Sequence, residues 1–215
     1  LMCCATPLSD LEIAYEPKQG VRAAPPKVHV GRVVGLDRLA PDVMRVRLDV
    51  AGERLRFYPG QYVNVLLASG EKRAFSFATA PHAAGPLELH IRRIPGGKFT
   101  GHVFEAMKVG EEVRFEGPLG TFFLREDSGK PMIFVAGATG FAPVKSMLEH
   151  AFHRGLRRRI FLYWGTRHPE DMYLGSLAEQ WQREHENFTF VPVISDPRPA
   201  DGWTGRTGLV HEAIL

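Results

Sequence analysis

Cysteine is nearly missing from this sequence: 215 residues contain two, adjacent at Cys3 and Cys4. Neighbouring cysteines supply no disulfide framework, so the chain has to be held together by its buried apolar surface. Long apolar runs are missing as well. Nothing approaches the about 20 residues that a membrane-crossing helix requires. The N-terminus shows no signal-peptide pattern, and a cytoplasmic location with no membrane span is expected. Charge is balanced to a formal net of +3. Its one compact basic run is Arg157 to Arg159, a solvated turn or a docking point for an acidic partner. No stripe of Lys and Arg interleaved with aromatics appears, which argues against nucleic-acid binding. The nine histidines show no pair at metal-ligand spacing with a third partner. His150 and His153 share an amphipathic segment and are expected to be solvated, while Trp181 is expected in a core.

What is present falls into two grammars. Residues 16–27, EPKQGVRAAPPK, carry three prolines and a glycine with little apolar periodicity and mark a linker. Residues 28–125 then run through VHVGRVVGL, VMRVRLDV, YVNVLLA, AFSFATA, LELHIRRI and EVRFEGPLG. These short alternating or β-branched stretches, separated by Gly/Pro turns, predict a six-stranded antiparallel barrel. From 130 to 215 strand-like MIFVA, RIFLYWG and FTFVPVIS alternate with helix-like PVKSMLEHAFHR and GSLAEQWQREH. That alternation predicts a parallel sheet with crossover helices. The fold class expected is therefore β + α/β.

Chemistry is first suggested by the junction MIFVAGATGFAP, in which an apolar strand runs into a glycine turn and a helix with Pro143 in its first turn. Any strand-to-helix turn can use glycine. In an open parallel sheet, however, ligands bind at the carboxyl ends of strands, where helix N–H groups face a phosphate. Gly137 and Gly140 would let backbone approach a pyrophosphate. Trp164, Gly165 and Thr166, at the end of the next strand, and Asp196 after the third would lie along the same edge, near an adenosine. An acid near the ribose favours NADH over NADPH, and Arg167 argues the other way.

The barrel holds a second set of signals. Arg73, Phe75 and Ser76 occupy one strand and offer a cation, an apolar ring and a small donor, as a flavin requires. A core phenylalanine beside a surface arginine would read the same way. HIRRIPGGKFT, residues 90–100, leads through Gly96 and Gly97 into another helix start at Phe99 and Thr100.

Together RAFS, GGKFT, GPLGTFFL, GATGFAP and YWGTRHPEDMYL resemble the ferredoxin-NADP reductase superfamily. The nearest branch is that of iron-sulfur flavoprotein NADH reductases, which includes the CDP-6-deoxy-glucoseen reductases and the reductase components of bacterial oxygenases. The resemblance runs from about residue 28 to the end. It implies FAD held by Arg73 at the pyrophosphate, Phe75 at the ring and Ser76 near N5. It adds the backbone of His90, Ile91 and Arg92, together with Gly96, Gly97, Phe99 and Thr100. NADH, with NADPH less favoured, would be held by Gly137, Thr139, Gly140 and Pro143. Phe75 replaces the usual tyrosine, and Ala138 stands where glycine is usual, at little cost if its φ is negative.

Residues 1–15 resemble the end of a plant-type [2Fe–2S] domain, with Cys3 as one cluster ligand and the other ligands outside this sequence. One ligand cannot hold a cluster, so no iron is expected in this fragment. The chain is expected to be cropped at both ends, leaving the strand Met132 to Ala136 with an unpaired edge. The function implied is electron transfer from NADH through FAD, and through [2Fe–2S] in the parent protein, to an acceptor such as an oxygenase, a dehydratase or a ferredoxin-like protein. The alternatives are a free-standing flavin reductase and a non-catalytic flavin-binding module.

Overall fold

The structure, a computed structural model, describes residues 9, 10, 12, 25–52 and 54–214. Cys3 and most of the 1–15 and 16–27 segments lie outside the described residues.

The first half is an antiparallel sheet of β1 (Lys27–Ala40), β2 (Val43–Val50), β3 (Tyr62–Leu66), β4 (Lys72–Ser76), β5 (Leu87–Arg92) and β6 (Glu112–Leu119). The strand order is β4-β3-β6-β1-β2-β5. Its two ends meet through a bridge between Phe77 and Leu89 and a hydrogen bond from the Ala78 N–H to the Glu88 carbonyl of 2.8 Å, which closes the sheet. Closure leaves few free backbone groups at its edges. Alternate residues point inward, so Val46, Leu48, Val63, Leu89, Ile91 and Phe115 fill the interior. Each such side chain contributes roughly 1.5–3 kcal/mol by leaving water. The helix α1 (Lys98–Glu105) connects β5 to β6 and adds Val103 to the same core.

The second half alternates β7 (Met132–Gly137), α2 (Phe141–His153), β8 (Ile160–Thr166), α3 (Gly175–Glu184), β9 (Phe188–Ile194) and the two-residue β10 (Arg206–Thr207). All its pairs are parallel, in the order β10-β9-β8-β7. One face is covered by α2 and α3, whose Phe141, Leu148, Ala178 and Trp181 share a core with Trp164 of β8. Among the described residues β7 is an edge strand, with Ile133 and Val135 exposed on the other face. Near the C-terminus one tight turn spans Glu212–Ile214.

The two halves meet along α2. Lys145 and Ser146 are buried there and bond to the carbonyls of Ala78 and Thr79, residues that follow β4. A histidine stack joins them too. His82 lies flat on His153 at 3.7 Å between ring centroids and tilts against His150 at 5.8 Å. The expectation that His150 and His153 are both solvated therefore holds for His153, which is exposed, and fails for His150, which is largely covered and pairs with Glu126 at 3.2 Å. Arg158 is not a solvated turn residue either, because its guanidinium donates to the carbonyls of Ser128 and Arg125 and fastens the connection between the halves.

Candidate functional site

Two cavities flank the seam. The larger, about 520 Å³, is lined by Arg73, Phe75, His90, Phe99 and Thr100 from the barrel and by Thr139 from the α/β half. Phe75 and Phe99 form an apolar wall with ring centroids 5.5 Å apart. Arg73 stands at the rim, half exposed, paired with Glu71 at 3.2 Å and donating to the Lys72 carbonyl at 3.0 Å. Its hydrogen bond, helped by Ser69, draws the Glu71 carboxyl below its ordinary value. The floor is the turn before α1. Gly96 has a φ of +72°, and a Cβ on Gly97 would sit 2.5 Å from Thr100 Oγ1. The Thr100 hydroxyl accepts the Ile94 N–H at 3.1 Å, so this side chain shapes the turn. α1 opens on Gly97 with no side-chain cap and no acid in its first turn, leaving N–H donors for an anion.

Ser76 ends β4 opposite Tyr62, beside Phe75 but outside the cavity lining. Ile91 is fully buried in the barrel core, so only its backbone is available to a ligand.

The smaller cavity, about 250 Å³, lies at the carboxyl ends of β7 and β8 and is lined by Gly137, Ala138, Gly165, Thr166, Arg167 and Ser195, with Arg92 and Asp42 reaching in from the barrel. α2 also begins without a side-chain cap or an acid in its first turn, and Pro143 lies within that turn. Gly137 and Gly140 have φ of −111° and −59°, and an added Cβ on either would meet nothing within 4 Å. Neither the backbone nor the packing demands glycine there. The space it leaves suits a ligand that comes close to the backbone.

Three residues depart from expectation. Ala138 has a φ of +46°, so the condition for a cheap replacement of glycine is not met. The Trp164 side chain does not face an adenosine. It is completely buried, stacked on Phe141 at 3.9 Å, and its indole N–H donates to the Ala138 carbonyl at 3.0 Å, bracing the turn from below. Asp196 is exposed and tied to Arg167 at 3.2 Å, so the acid and the base that argue opposite ways about NADH and NADPH neutralise each other. Thr166 is buried, its hydroxyl donating to the His168 carbonyl at 2.9 Å. Gly165 is needed for packing, since its Cβ would lie 2.6 Å from that of Val210.

The sequence reading named His90 and Arg92 for their backbone alone; their side chains form the wall between the cavities, backed by Glu88, Lys145 and Tyr173, which it did not name. Arg92 lines both and is held by Asp42 at 2.6 Å. Behind it His90 bonds Glu88 through Nε2 at 2.6 Å and Tyr173 through Nδ1 at 3.0 Å. Burial opposes ionisation of Glu88, but the His90 hydrogen bond and the Lys145 charge overcome it and bring the carboxyl to about 2. Burial outweighs Glu88 at His90 and keeps the imidazole below its ordinary value, while Tyr173 is pushed up by burial and by Glu88. The ring is thus neutral, donating from Nε2 to Glu88 and accepting the Tyr173 hydroxyl at Nδ1. One signal was visible in the sequence: Lys145 stands among apolar neighbours in FAPVKSML, a cation on what should be a buried arc.

Residues 32–124 match the oxidoreductase FAD-binding domain family, and residues 134–215 match the oxidoreductase NAD-binding domain family. An NAD(P)H-flavin reductase of Aliivibrio fischeri is 35% identical over 188 residues, covering 85% of this chain and 78% of that protein. The chain belongs to the ferredoxin-NADP reductase superfamily. A CDP-6-deoxy-L-threo-D-glycero-4-hexulose-3-dehydrase reductase of Yersinia pestis is 35% identical over 217 residues, covering all of this chain and 64% of that protein. The crystal structure of the Amycolatopsis cytochrome P450 reductase GcoB superposes with a TM-score of 0.83 at 36% identity, over 99% of this chain and 64% of that one. This superfamily member thus spans less than two thirds of several relatives it matches. Its larger cavity lies in the FAD-binding part and its smaller one in the NAD-binding part. Among the described residues no group of His, Cys, Asp or Glu is placed to hold a metal ion, and no helix is long and apolar enough to cross a membrane.

Proposed function

We propose that this chain is the FAD- and NADH-binding part of an electron-transfer reductase, whose acceptor is a protein such as an oxygenase, a dehydratase or a ferredoxin-like carrier. The observation that carries this reading is the shared wall: Arg92 lines both cavities, and Thr139 of the glycine turn reaches into the larger one. Two ligands seated there would approach each other across one side chain, which a pair of unrelated sites would not require.

The residues fit the groups. Arg73 supplies the cation and the uncapped start of α1 the N–H donors for the FAD pyrophosphate, and Phe75 and Phe99 the apolar surface for the ring. Phenylalanine at position 75 keeps the packing and gives up a phenol hydrogen bond. Ser76, next along the strand, is assigned a positioning role near N5. Gly137, Thr139, Gly140 and the start of α2 receive the nicotinamide dinucleotide, with Gly165, Thr166 and Asp196 toward its adenosine. When bound, FAD supplies the redox chemistry, accepting two electrons with a hydride from NADH and releasing them singly. The protein sets the approach and keeps the lining arginines paired, Arg73 with Glu71 and Arg92 with Asp42. In this reading residues 1–15 are the end of a [2Fe–2S] domain with Cys3 as one ligand, and the cluster is the next carrier.

Reconstitution with FAD followed by NADH-driven reduction of ferricyanide tests the assignment. Stoichiometric FAD and turnover with NADH in excess of NADPH are expected. FAD binding without turnover by either nucleotide would reduce the chain to a flavin-binding module. A second reading, reduction of free flavin, draws on the likeness to the Aliivibrio fischeri protein; it predicts flavin that exchanges readily with the medium instead of remaining bound.

A further inference from the structure

Lys145 is a buried cation whose nearest charges come from both halves of the molecule. Its Nζ lies 2.9 Å from Glu149, one turn along α2, and 3.7 Å from Glu88 of β5, and it donates to the Ala78 carbonyl at 3.2 Å. The adjacent Ser146, fully buried, donates to the Thr79 carbonyl at 2.7 Å. Burial raises the Glu149 carboxyl above its ordinary value, against the pull of Lys145. A buried ionic contact of this kind adds little net stability, because desolvation offsets attraction; its attested use is to enforce one arrangement over others.

What it would enforce follows from where it sits. Lys145 lies about one helical turn into α2, whose start is the glycine turn. Glu88, its partner in the barrel, also bonds His90, which lines the larger cavity, and His90 in turn accepts the hydroxyl of Tyr173, which lines the smaller one. A continuous chain of contacts therefore runs from the helix behind the nicotinamide turn, through the barrel, to the wall separating the cavities. Its first two links stand back from both ligands: Lys145 and Glu88 line neither cavity.

The geometry points to Lys145 and Glu88 as positioning residues that fix the register of α2 on the barrel, and so the distance between the nicotinamide turn and the flavin cleft. This inference rests on the reductase reading. Transfer between two bound groups is far more sensitive to placement than binding of either one, since a misplacement of about 1 Å costs on the order of a hundredfold in rate. Loss of the tie should therefore appear in the rate of flavin reduction and hardly at all in affinity.

The test compares the unaltered FAD-loaded protein with Lys145→Met, which keeps the stem and removes the charge, and with the milder Glu88→Gln. The limiting rate of reduction at saturating NADH is expected to fall about tenfold or more in Lys145→Met and less in Glu88→Gln, with FAD content and the NADH dissociation constant within about threefold of the original. The double variant should be no worse than Lys145→Met alone, because both changes break one chain of contacts. A second readout needs no cofactor: in the FAD-free protein, amide hydrogen exchange over residues 139–146 should accelerate in both variants while the barrel core stays protected. Unchanged limiting rates, or a loss confined to NADH affinity, would overturn the inference. If Lys145→Met does not fold, Glu88→Gln decides alone. An unaltered protein that binds FAD and NADH without reduction would remove the reductase reading, and this inference with it.

Discussion

Two glycine stretches face the seam, and the chain needs them for different reasons. In Pro95-Gly96-Gly97 the protein itself requires the missing side chains: Gly96 is left-handed, and Gly97 is pressed against Thr100 and the Ile94 carbonyl. In Gly137-Ala138-Thr139-Gly140 both glycines are sterically free, and the strained residue is the alanine between them. The barrel's phosphate-ready turn is thus a packed object, made before any ligand arrives. The α/β turn is an open ledge, and in the proposed reading it receives the dinucleotide. On that reading identical residue types carry structural information in one place and ligand information in the other.

Substitution at each stretch is the sharpest way to break that contrast. Gly97→Val should cost about 1–3 kcal/mol of stability by overpacking, seen as a lower melting temperature and a lower FAD content. Gly137→Val should leave the melting temperature alone, since the site is open, extended backbone. It should instead weaken NADH binding by about tenfold or more, about 1.4 kcal/mol, in a fluorescence titration. Equal effects on stability from the two would erase the distinction. Ala138→Gly relieves a left-handed alanine at the expense of a freer unfolded chain, and a net gain of about 0.5–1 kcal/mol is expected, raising the melting temperature by about 1–4 °C.

Smaller effects sharpen the contrast at the seam's periphery. Asp196→Asn releases Arg167 from an exposed pair, and the NADPH-to-NADH preference should rise by up to about fivefold, the scale of such pairs. The histidine stack gives a pH dependence. Burial first, and then the charges of His153, His150 and Arg54, hold His82 below the ordinary imidazole value. The unfolded chain therefore takes up the proton before the folded one does, so stability is complete above about pH 6.5 and declines as the pH falls below it. His82→Phe should flatten that decline by about 2 °C or less in melting temperature between neutral and mildly acid buffer.

The six barrel strands and the strand-helix alternation were legible because both depend on local periodicity, and VMRVRLDV or PVKSMLEHAFHR states its period openly. The glycine stretches were legible as turns, but their different loading was not, because the space around a Cβ is set by residues distant in sequence. Trp164 misled for the same reason. A tryptophan at the carboxyl end of a strand reads as a ligand platform until Phe141 and Ala138 are seen to claim both its face and its N–H. Lys145, Glu88 and Tyr173 were unreadable as a group, since their contacts cross between the two halves. A lone lysine amid apolar residues was the sole local trace of them.

The central claim is that the two cavities act as one site across the Arg92 and Thr139 seam. Its most direct test is anaerobic mixing of the FAD-loaded protein with NADH, following the flavin absorbance in a single turnover. One fast phase of bleaching, slower with NADPH and slowed when the transferring C4 hydrogen of NADH is replaced by deuterium, is the predicted result. Saturable NADH binding with the flavin left oxidised would contradict it.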